Sequence, residues 1–303
     1  MTAIRHPVLL FGEILIDRFP DQEVLGGAPF NVAMHLYAFG CMPILVSRIG
    51  QDNAGSRLLQ TLENAGLAIH GVQLDSTHST GMVEVHFTAD GHQFDILPDQ
   101  AYDHIHPRLS RMTALAVNPE LVYFGTLAQR ANSHRALRHM LRAVGGKRFF
   151  DVNLRDPWVC AERLRWSLQH ADIVKANDTE LERIVELIDL EGTSPEEQAK
   201  ALVQRYQLDG LLITRGEAGS WWIDNFGEQT VMATDPVAGI RDTVGAGDAF
   251  SAIFMLGLLH NWTIPVTLRR AQHFAGAICQ IRGAVPESDD FYRPFLEAWF
   301  ERR

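Results

Sequence analysis

Short apolar runs alternate with segments of helical periodicity along the chain, and this alternation predicts the fold. Buried-strand patterns recur and are followed by turns or helices, at Pro43–Gly50, Leu121–Gly125, Arg148–Val152, Ile173–Lys175 and Gly210–Thr214. Repeated strand–helix units predict a parallel sheet with helices on both faces, with ligands bound at the carboxyl ends of the strands. The fold class is therefore α/β. No repeat or long linker divides the chain, so we expect a single domain over residues 1–303.

The first apolar run, Val8–Ile16, is predicted to be one buried strand, interrupted by Gly12 and Glu13 and closed by Asp17. At that position a carboxylate either binds a ligand or simply caps the strand end. The sequence LGGAPFNVA at residues 25–33 then opens a helix that ends near Gly40. Its first turn is apolar except for Asn31, whose amide would suit a hydrogen bond to a ligand hydroxyl.

The pattern changes at Gly81–Leu97, where Val83 and Val85 alternate with polar residues and Asp90-Gly91 supplies a turn. This is typical of a β-hairpin with one apolar and one polar face. Among strand–helix units such a hairpin is expected to form a small lid over a site. An edge strand of the main sheet is the alternative.

The sequence RDTVGAGDAFS at residues 241–251 runs directly into the apolar segment Ala249–Leu259. Gly245 and Gly247 predict a sharp turn, and the first amides of the following helix have no intrahelical partner. Such amides, together with the helix dipole, form an anion site. Asp248 lies beside it, where a carboxylate could take a proton from a hydroxyl that attacks a phosphate. An ordinary glycine turn before a core helix is the alternative.

Neither a GxxxxGK[ST] loop nor a GxGxxG sequence after the first strand is present, so a nicotinamide dehydrogenase is not favoured. Asn177 and Glu180 flank a predicted helix start, where they could contact a phosphate and Mg²⁺ or could act only as caps. Thr214 and Gly216 follow a strand and could contact a nucleotide or only form a turn.

The composition limits the kinds of partner, compartment and metal site that the protein is expected to have. The 27 basic and 37 acidic residues give a net charge of −10, which argues against a nucleic-acid surface. The N-terminal region lacks an export signal or a membrane-spanning run, and three widely separated cysteines fit reduced thiols, so we expect a cytoplasmic protein. The histidine pairs His104/His106 and His134/His139 lack the spacing of two ligands on one helix face, and no structural zinc site is expected.

Four motifs, in this order, resemble the ribokinase-like (PfkB) family of carbohydrate kinases across nearly the whole chain. They are GGAPFNVA at 26–33, RIGQDNAG at 48–55, NDTE at 177–180 and DTVGAGDAF at 242–250. The resemblance implies a ribokinase-like parallel sheet flanked by helices, with a small β-hairpin lid formed by segments about 18–27 and 79–103. It also implies ATP and Mg²⁺ as cofactors, a sugar as small-molecule substrate, K⁺ in many members, and a homodimer formed through the lid.

The resemblance assigns roles to individual positions. It makes Asp248 the catalytic base, with the anion hole at Gly245, Ala246 and Gly247. Sugar hydroxyls would be held by Asp17, Gly27 and Asn31. The other assigned roles are phosphate contact by Asn177, magnesium binding (directly or through water) by Glu180, nucleotide contacts by Thr214 and Gly216, and monovalent-cation binding by the backbone carbonyls of Asp242 and Val244.

Within the family, GEILID, GGAPFNVA and DVNLRDPW look most like fructokinases, and phosphorylation of a hydroxymethyl group of fructose is the expected reaction. A 2-keto-3-deoxygluconate kinase, a ribokinase and a nucleoside kinase are alternatives, and a catalytically inactive sugar-binding regulator is a remote one. Arg155 could reach a substrate carboxylate or hydroxyl, or pair with Asp156 or Asp151. Phe30 is expected to narrow the sugar pocket, and a nucleoside kinase would use Phe30, Phe94 and Tyr102 around the base.

Overall fold

The computed structural model describes residues 6–20, 22–88, 91–234 and 237–300, and it confirms the α/β fold. The strands are β1 (Pro7–Phe11), β2 (Leu15–Arg18), β3 (Glu23–Gly26), β4 (Met42–Gly50), β5 (Val72–Asp75), β6 (Gly81–Thr88), β7 (Gly91–Ile96), β8 (Leu121–Phe124), β9 (Lys147–Asp151), β10 (Ile173–Asn177), β11 (Gly210–Thr214), β12 (Ser220–Asp224) and β13 (Gln229–Met232). The α-helices are α1 (Ala28–Ala38), α2 (Asn53–Asn64), α3 (Pro107–Val117), α4 (Ala131–Leu141), α5 (Ala161–His170), α6 (Asp178–Ile188), α7 (Pro195–Tyr206), α8 (Ala246–Leu259), α9 (Ile264–Ile278) and α10 (Arg293–Phe300).

Nine strands form the main sheet, in the order β13-β12-β11-β10-β9-β8-β1-β4-β5. All neighbours pair in parallel except β11–β12 and β12–β13, which are antiparallel. The other four strands form a separate sheet in the order β3-β2-β6-β7, called the small sheet below. The parallel strands end at one edge of the main sheet, and the starts of α6 and α8 lie in the segments that follow.

Residues of β1 alternate between two apolar cores, one on each face of the main sheet. Val8 and Leu10 pack with α1, α2, α8, α9 and α10, whereas Leu9 and Phe11 pack with α3 to α7. A central parallel strand is buried on both faces, which is why its sequence is apolar throughout. Among the helices of the described residues, none combines the length and apolar character that a bilayer span requires.

The single strand predicted for Val8–Ile16 is wrong. The run is divided between β1, which pairs with β4 and β8 in the main sheet, and β2, which pairs with β3 and β6 in the small sheet. Both parts are buried, so apolar character alone could not reveal the break at Gly12–Ile14. As a consequence Asp17 lies in the small sheet and not at a strand end of the main sheet.

The predicted hairpin at Gly81–Leu97 is confirmed as the antiparallel pair β6–β7. The alternative of an edge strand in the main sheet is wrong, because β6 pairs with β2 in the small sheet. The turn residue Asp90 lies outside the described residues. The predicted lid segments, 18–27 and 79–103, contain β3, β6 and β7. That residues 1–303 form a single domain stays a prediction.

Candidate active site

The start of α8 forms the predicted glycine turn. Gly245 precedes the helix with φ +79°, and a Cβ there would lie 2.3 Å from the Cβ of Ala284, so both the backbone angle and the packing require glycine. The amide of Ala246 donates to the carbonyl of Thr243 at 3.3 Å. Within the described chain, the amides of Gly245 and Gly247 have no acceptor. These two amides are therefore free to bind an anion, while that of Ala246 is already engaged.

Asp248 lies in the first turn of α8 and contacts Asn31 of α1. The Nδ2 atom of Asn31 donates to Oδ2 of Asp248 at 2.7 Å. Burial raises the pKa of Asp248 to about 6, against the lowering effect of this hydrogen bond. Asn31 is 5% exposed, and its Oδ1 atom has no hydrogen-bond partner. A buried acceptor without a donor is costly, and a ligand hydroxyl at this point would satisfy it.

Two further carboxyl groups, Glu13 and Asp17, share the electrostatic influence of Arg155 with Asp248. Burial raises the pKa of Glu13 to about 7 and that of Asp17 to about 6, and in both cases Arg155 opposes the rise. Gly27 has φ +106°, and a Cβ there would lie 2.6 Å from the Glu13 carbonyl oxygen. The backbone of Gly27 therefore lies close to Glu13, and Glu13 is a further candidate site residue, which the motifs did not indicate.

Arg155 does not form either of the ion pairs considered from the sequence. Its guanidinium donates to the carbonyl of Leu154 at 2.9 Å, and the ion pairs of the described residues include none with Asp151 or Asp156. Its side chain is exposed. It therefore remains free to contact a ligand near Asp17.

A buried polar network that the sequence motifs did not predict lies next to the glycine turn. Lys175 Nζ is 2.9 Å from Oδ1 of Asp151, whose Oδ2 accepts hydrogen bonds from Ser251 at 2.6 Å and Tyr123 at 3.3 Å. Burial lowers the pKa of Lys175, but the carboxylates of Asp151, Glu180 and Asp248 together outweigh this effect and the pKa is raised. A Cβ on Gly247 would lie 3.7 Å from Lys175 Nζ, so the ammonium is close to the anion site. The sequence does contain one sign of this network, because Lys175 is a charged residue inside the largely apolar strand β10.

A cavity of about 470 Å³ adjoins the glycine turn. Its volume is within the range of small-molecule sites. Thr214 and Gly216 line it together with Ala246 and Gly247, as the nucleotide prediction requires, and Gln272 of α9 also lines it. Glu13, Asp17 and Asp248 are not among the residues that line it.

Asn177 and Glu180 form a capping box at the start of α6. Asn177 Oδ1 accepts from the Glu180 amide at 2.8 Å, and Glu180 Oε2 accepts from the Asn177 amide at 2.9 Å. The other oxygen of Glu180 accepts from the Leu154 amide at 2.8 Å. Burial raises the pKa of Glu180, and Lys175 opposes this rise. The capping alternative is therefore realised, and the carboxylate keeps the lone pairs that a hard cation such as Mg²⁺ would use.

Asp242 and Val244 lie in the turn before α8. The Asp242 side chain accepts hydrogen bonds from the amides of Val244 and Gly283, each at 3.0 Å. No hydrogen bond from the described chain reaches the backbone carbonyls of Asp242 and Val244. Free carbonyl oxygens are suitable ligands for a monovalent cation, so the residues fit the predicted site.

Two of the three aromatic residues considered for a nucleoside site, Phe30 and Tyr102, are buried. Phe30 is 3% exposed and packs into the apolar core beside α8, so it does not narrow the pocket as expected. Tyr102 is fully buried, and its hydroxyl accepts from Arg130 at 2.6 Å. The side chain of Phe94 lies outside the described part of the chain. Neither of the two described rings can stack on a base.

Comparison with known proteins agrees with this geometry. Similar folds belong to ribokinase-like sugar kinases, among them an uncharacterized sugar kinase from Pyrococcus horikoshii, with a TM-score of 0.79 at 25% identity, covering 96% of this chain and 98% of that chain. Residues 11–290 match the family described as pfkB family carbohydrate kinase. The chain belongs to this family. It is accordingly a sugar kinase, a class of ATP-dependent phosphotransferase, and the resemblance found in the motifs is confirmed.

Individual relatives agree on the family. A fructokinase of Salmonella typhimurium is 28% identical over 95% of this chain and 99% of its own length. The Pyrococcus horikoshii sugar kinase is 30% identical over 86% of this chain and 84% of its own. A fructokinase double mutant from Vibrio cholerae, solved in its fructose, ADP and potassium ion bound form, has a TM-score of 0.76 at 22% identity and covers 95% of this chain and 97% of that chain.

Proposed function

We propose that the protein transfers the γ-phosphoryl group of ATP to a hydroxymethyl group of fructose. The observation that carries the proposal is the Asn31–Asp248 pair, in which a carboxylate and an unsatisfied amide oxygen meet beside free helix amides. A sugar hydroxyl at this point can donate one hydrogen bond to Asp248. A second sugar hydroxyl can donate to Oδ1 of Asn31.

Asp248 would accept the proton of the attacking hydroxyl, and the amides of Gly245 and Gly247 would stabilise negative charge on the transferring group. Phosphoryl transfer depends mainly on positioning and charge stabilisation, so one general base and a preorganised anion site are enough to catalyse it. Lys175 adds a positive charge behind the amides. Asp17 and Gly27 would hold further sugar hydroxyls, and closure of the small sheet would exclude water as a competing acceptor.

The nucleotide would occupy the 470 Å³ cavity, with Thr214 and Gly216 at its wall and Asn177 toward the phosphates. Glu180 would hold Mg²⁺, directly or through water, and Mg²⁺ would neutralise phosphate charge. The carbonyls of Asp242 and Val244 would bind K⁺, which the Vibrio cholerae structure contains. We also propose a homodimer through the small sheet, whose edge strands β3 and β7 present unpaired backbone groups.

The charges of the site favour a neutral sugar. Three acidic groups, Glu13, Asp17 and Asp248, lie within the influence of Arg155, and the other cation near Asp248, Lys175, is already paired with Asp151. A substrate carboxylate, as in 2-keto-3-deoxygluconate, would meet more negative than positive charge there. The buried positions of Phe30 and Tyr102 argue against a nucleoside. Relatives named fructokinase support fructose among the remaining sugars.

A coupled assay of ADP release tests this proposal with Mg-ATP and a panel of acceptors. The panel contains fructose, ribose, 2-keto-3-deoxygluconate, nucleosides and aminoimidazole riboside. We expect the highest kcat/KM for fructose. A higher value for another acceptor would contradict the substrate assignment, and absence of turnover with every acceptor despite sugar binding would favour the inactive regulator.

The acid limb of the pH profile should report Asp248. Only the ionised carboxylate can accept a proton, so kcat should fall below a pKa of about 6, by about tenfold for each pH unit. Because the pKa of Asp17 is also raised to about 6, the profile is measured in Asp17→Asn as well. The kcat that remains in Asp17→Asn should still fall at acid pH with the same apparent pKa. If the acid limb is absent in Asp17→Asn, the titrating group is Asp17 and not Asp248, which would contradict the prediction.

Gly247→Ala separates ligand contact from folding. The nearest atom to the added methyl group is Lys175 Nζ at 3.7 Å, so the free protein has room for it, and alanine is a better helix former by about 0.5–1 kcal/mol. The methyl would nevertheless occupy the anion site, and we expect kcat to fall by about 10²-fold. Gly145→Ala, whose added methyl group would meet no atom within 4 Å, is the control. Wild-type turnover in Gly247→Ala would contradict the placement of the phosphoryl group.

A further inference from the structure

A cluster of two histidines and one aspartate lies in the segments that flank the hairpin of the small sheet, and none of the three lines the cavity. His78 is in the segment between β5 and β6, while Asp99 and His104 follow β7. One ligand atom from each side chain lies within 4.8 Å of the others. The distances to Asp99 Oδ1 are 2.7 Å from His104 Nε2 and 3.8 Å from His78 Nε2. The sequence reading had excluded His104 because it compared only residues close in the chain.

We propose that His78, Asp99 and His104 bind one Zn²⁺ ion. Two imidazole nitrogens and one carboxylate oxygen form a three-residue ligand set that zinc uses, with water in the fourth position. Neighbouring ligands of a tetrahedral ion with bonds of about 2.0 Å are separated by about 3.3 Å. The two observed distances lie on either side of this value. The ion would replace the proton between His104 and Asp99, which leaves to solvent.

The surroundings hold the ligands as metal sites commonly do. Nδ1 of His78 lies 3.0 Å from Oδ2 of Asp75, which directs Nε2 toward Asp99. A carboxylate partner on the second ring nitrogen is the usual way of orienting a ligating histidine. Asp75 is 1% exposed and pairs with Arg48, whose guanidinium also donates to the His104 carbonyl at 2.7 Å. The Arg48–Asp75 pair, with side chains 23% and 1% exposed, therefore contacts both histidines.

Two features indicate what binding must change. The imidazole rings of His78 and His104 are stacked, with centroids 3.6 Å apart and planes inclined by 11°, so they must tilt for both lone pairs to reach one ion. Asp99 has φ +56°, a left-handed conformation that non-glycine residues adopt uncommonly and that occurs often at functional sites. Because the ligands lie just before β6 and just after β7, a bound ion would join both ends of the hairpin.

Zinc binding is tested on the full-length protein after removal of metals with EDTA. Isothermal titration with ZnCl₂ in excess Mg²⁺ should give one site, because Mg²⁺ prefers oxygen ligands. Co²⁺ should give the visible absorption of tetrahedral coordination, and Zn²⁺ should raise the melting temperature. These readouts do not depend on kinase activity.

Two variants assign the site, and a third is the control. Asp99→Asn and His104→Gln should each weaken Zn²⁺ binding by more than about 100-fold. Loss of a residue that only orients a ligand costs up to about 100-fold, and loss of a ligand should cost more. Asparagine is chosen at position 99 because it tolerates the left-handed conformation. His106→Gln changes an exposed histidine two residues away and should bind as the wild type does. Absence of a zinc site in the wild type, or undiminished binding by Asp99→Asn and His104→Gln, would overturn the proposal.

Discussion

Lys175→Met is expected to lower the free energy of unfolding by about 3–5 kcal/mol, because it leaves the Asp151 carboxylate buried without its partner. The ammonium and the carboxylate are 2.9 Å apart, with side chains 7% and 2% exposed. Ser251 and Tyr123 would still donate to Asp151, but neither carries a charge. Urea denaturation followed by tryptophan fluorescence measures the change.

Two further variants test whether the loss of stability comes from the burial of the ion pair. Lys147 and Asp209 form an ion pair of the same length, 2.9 Å, with side chains 48% and 50% exposed. Lys147→Met should therefore cost less than about 1 kcal/mol. The double variant Lys175→Met/Asp151→Asn, which removes both charges, should recover much of the lost stability. Equal losses for Lys175→Met and Lys147→Met would contradict the account of the buried network.

Asp248→Asn should lower kcat by about 10²–10⁴-fold, the usual contribution of a general base. The amide cannot accept the proton of the attacking hydroxyl. Its oxygen can still accept the hydrogen bond that Asn31 donates, so the site should stay assembled and sugar binding should be largely kept. Steady-state kinetics with the best acceptor of the panel, together with the sugar dissociation constant, gives both quantities.

Glu196→Gln is the matched control, because it removes an exposed carboxylate from the first turn of a different helix, α7. It should leave kcat unchanged and shows whether loss of a helix-start charge has any effect on its own. Turnover by Asp248→Asn close to that of the wild type would remove Asp248 from the role of base. A large fall in sugar affinity with unchanged kcat would make it a binding residue instead.

Local signals predicted the elements that carry the site. β11 has the predicted bounds, Gly210–Thr214. A short apolar run between turn residues can be predicted as a strand from the local sequence alone. The helix at α1 followed from its glycines and proline. The glycine turn before α8 was found for the same reason, and its φ and close packing against Ala284 agree with it.

Pairings between distant segments could not be predicted in this way. Residues 8–16 read as one apolar strand because sheet membership depends on which strands pair, and β2 pairs with β6 about 65 residues later. The Lys175–Asp151–Ser251 network joins three elements, and no spacing within one element reveals it. The His78–Asp99–His104 cluster was missed because its members come from both ends of the hairpin.

Phosphoryl transfer by this site requires the acceptor hydroxyl to lie beside Asp248 at the start of α8. A crystal structure with the best acceptor of the panel, Mg²⁺ and a non-hydrolysable ATP analogue tests this directly. We predict that the hydroxymethyl oxygen lies about 2.6–3.2 Å from an Asp248 oxygen, with a second hydroxyl donating to Oδ1 of Asn31. A sugar bound with its hydroxymethyl group away from Asp248, or outside the group formed by Glu13, Asp17 and Arg155, would contradict the account.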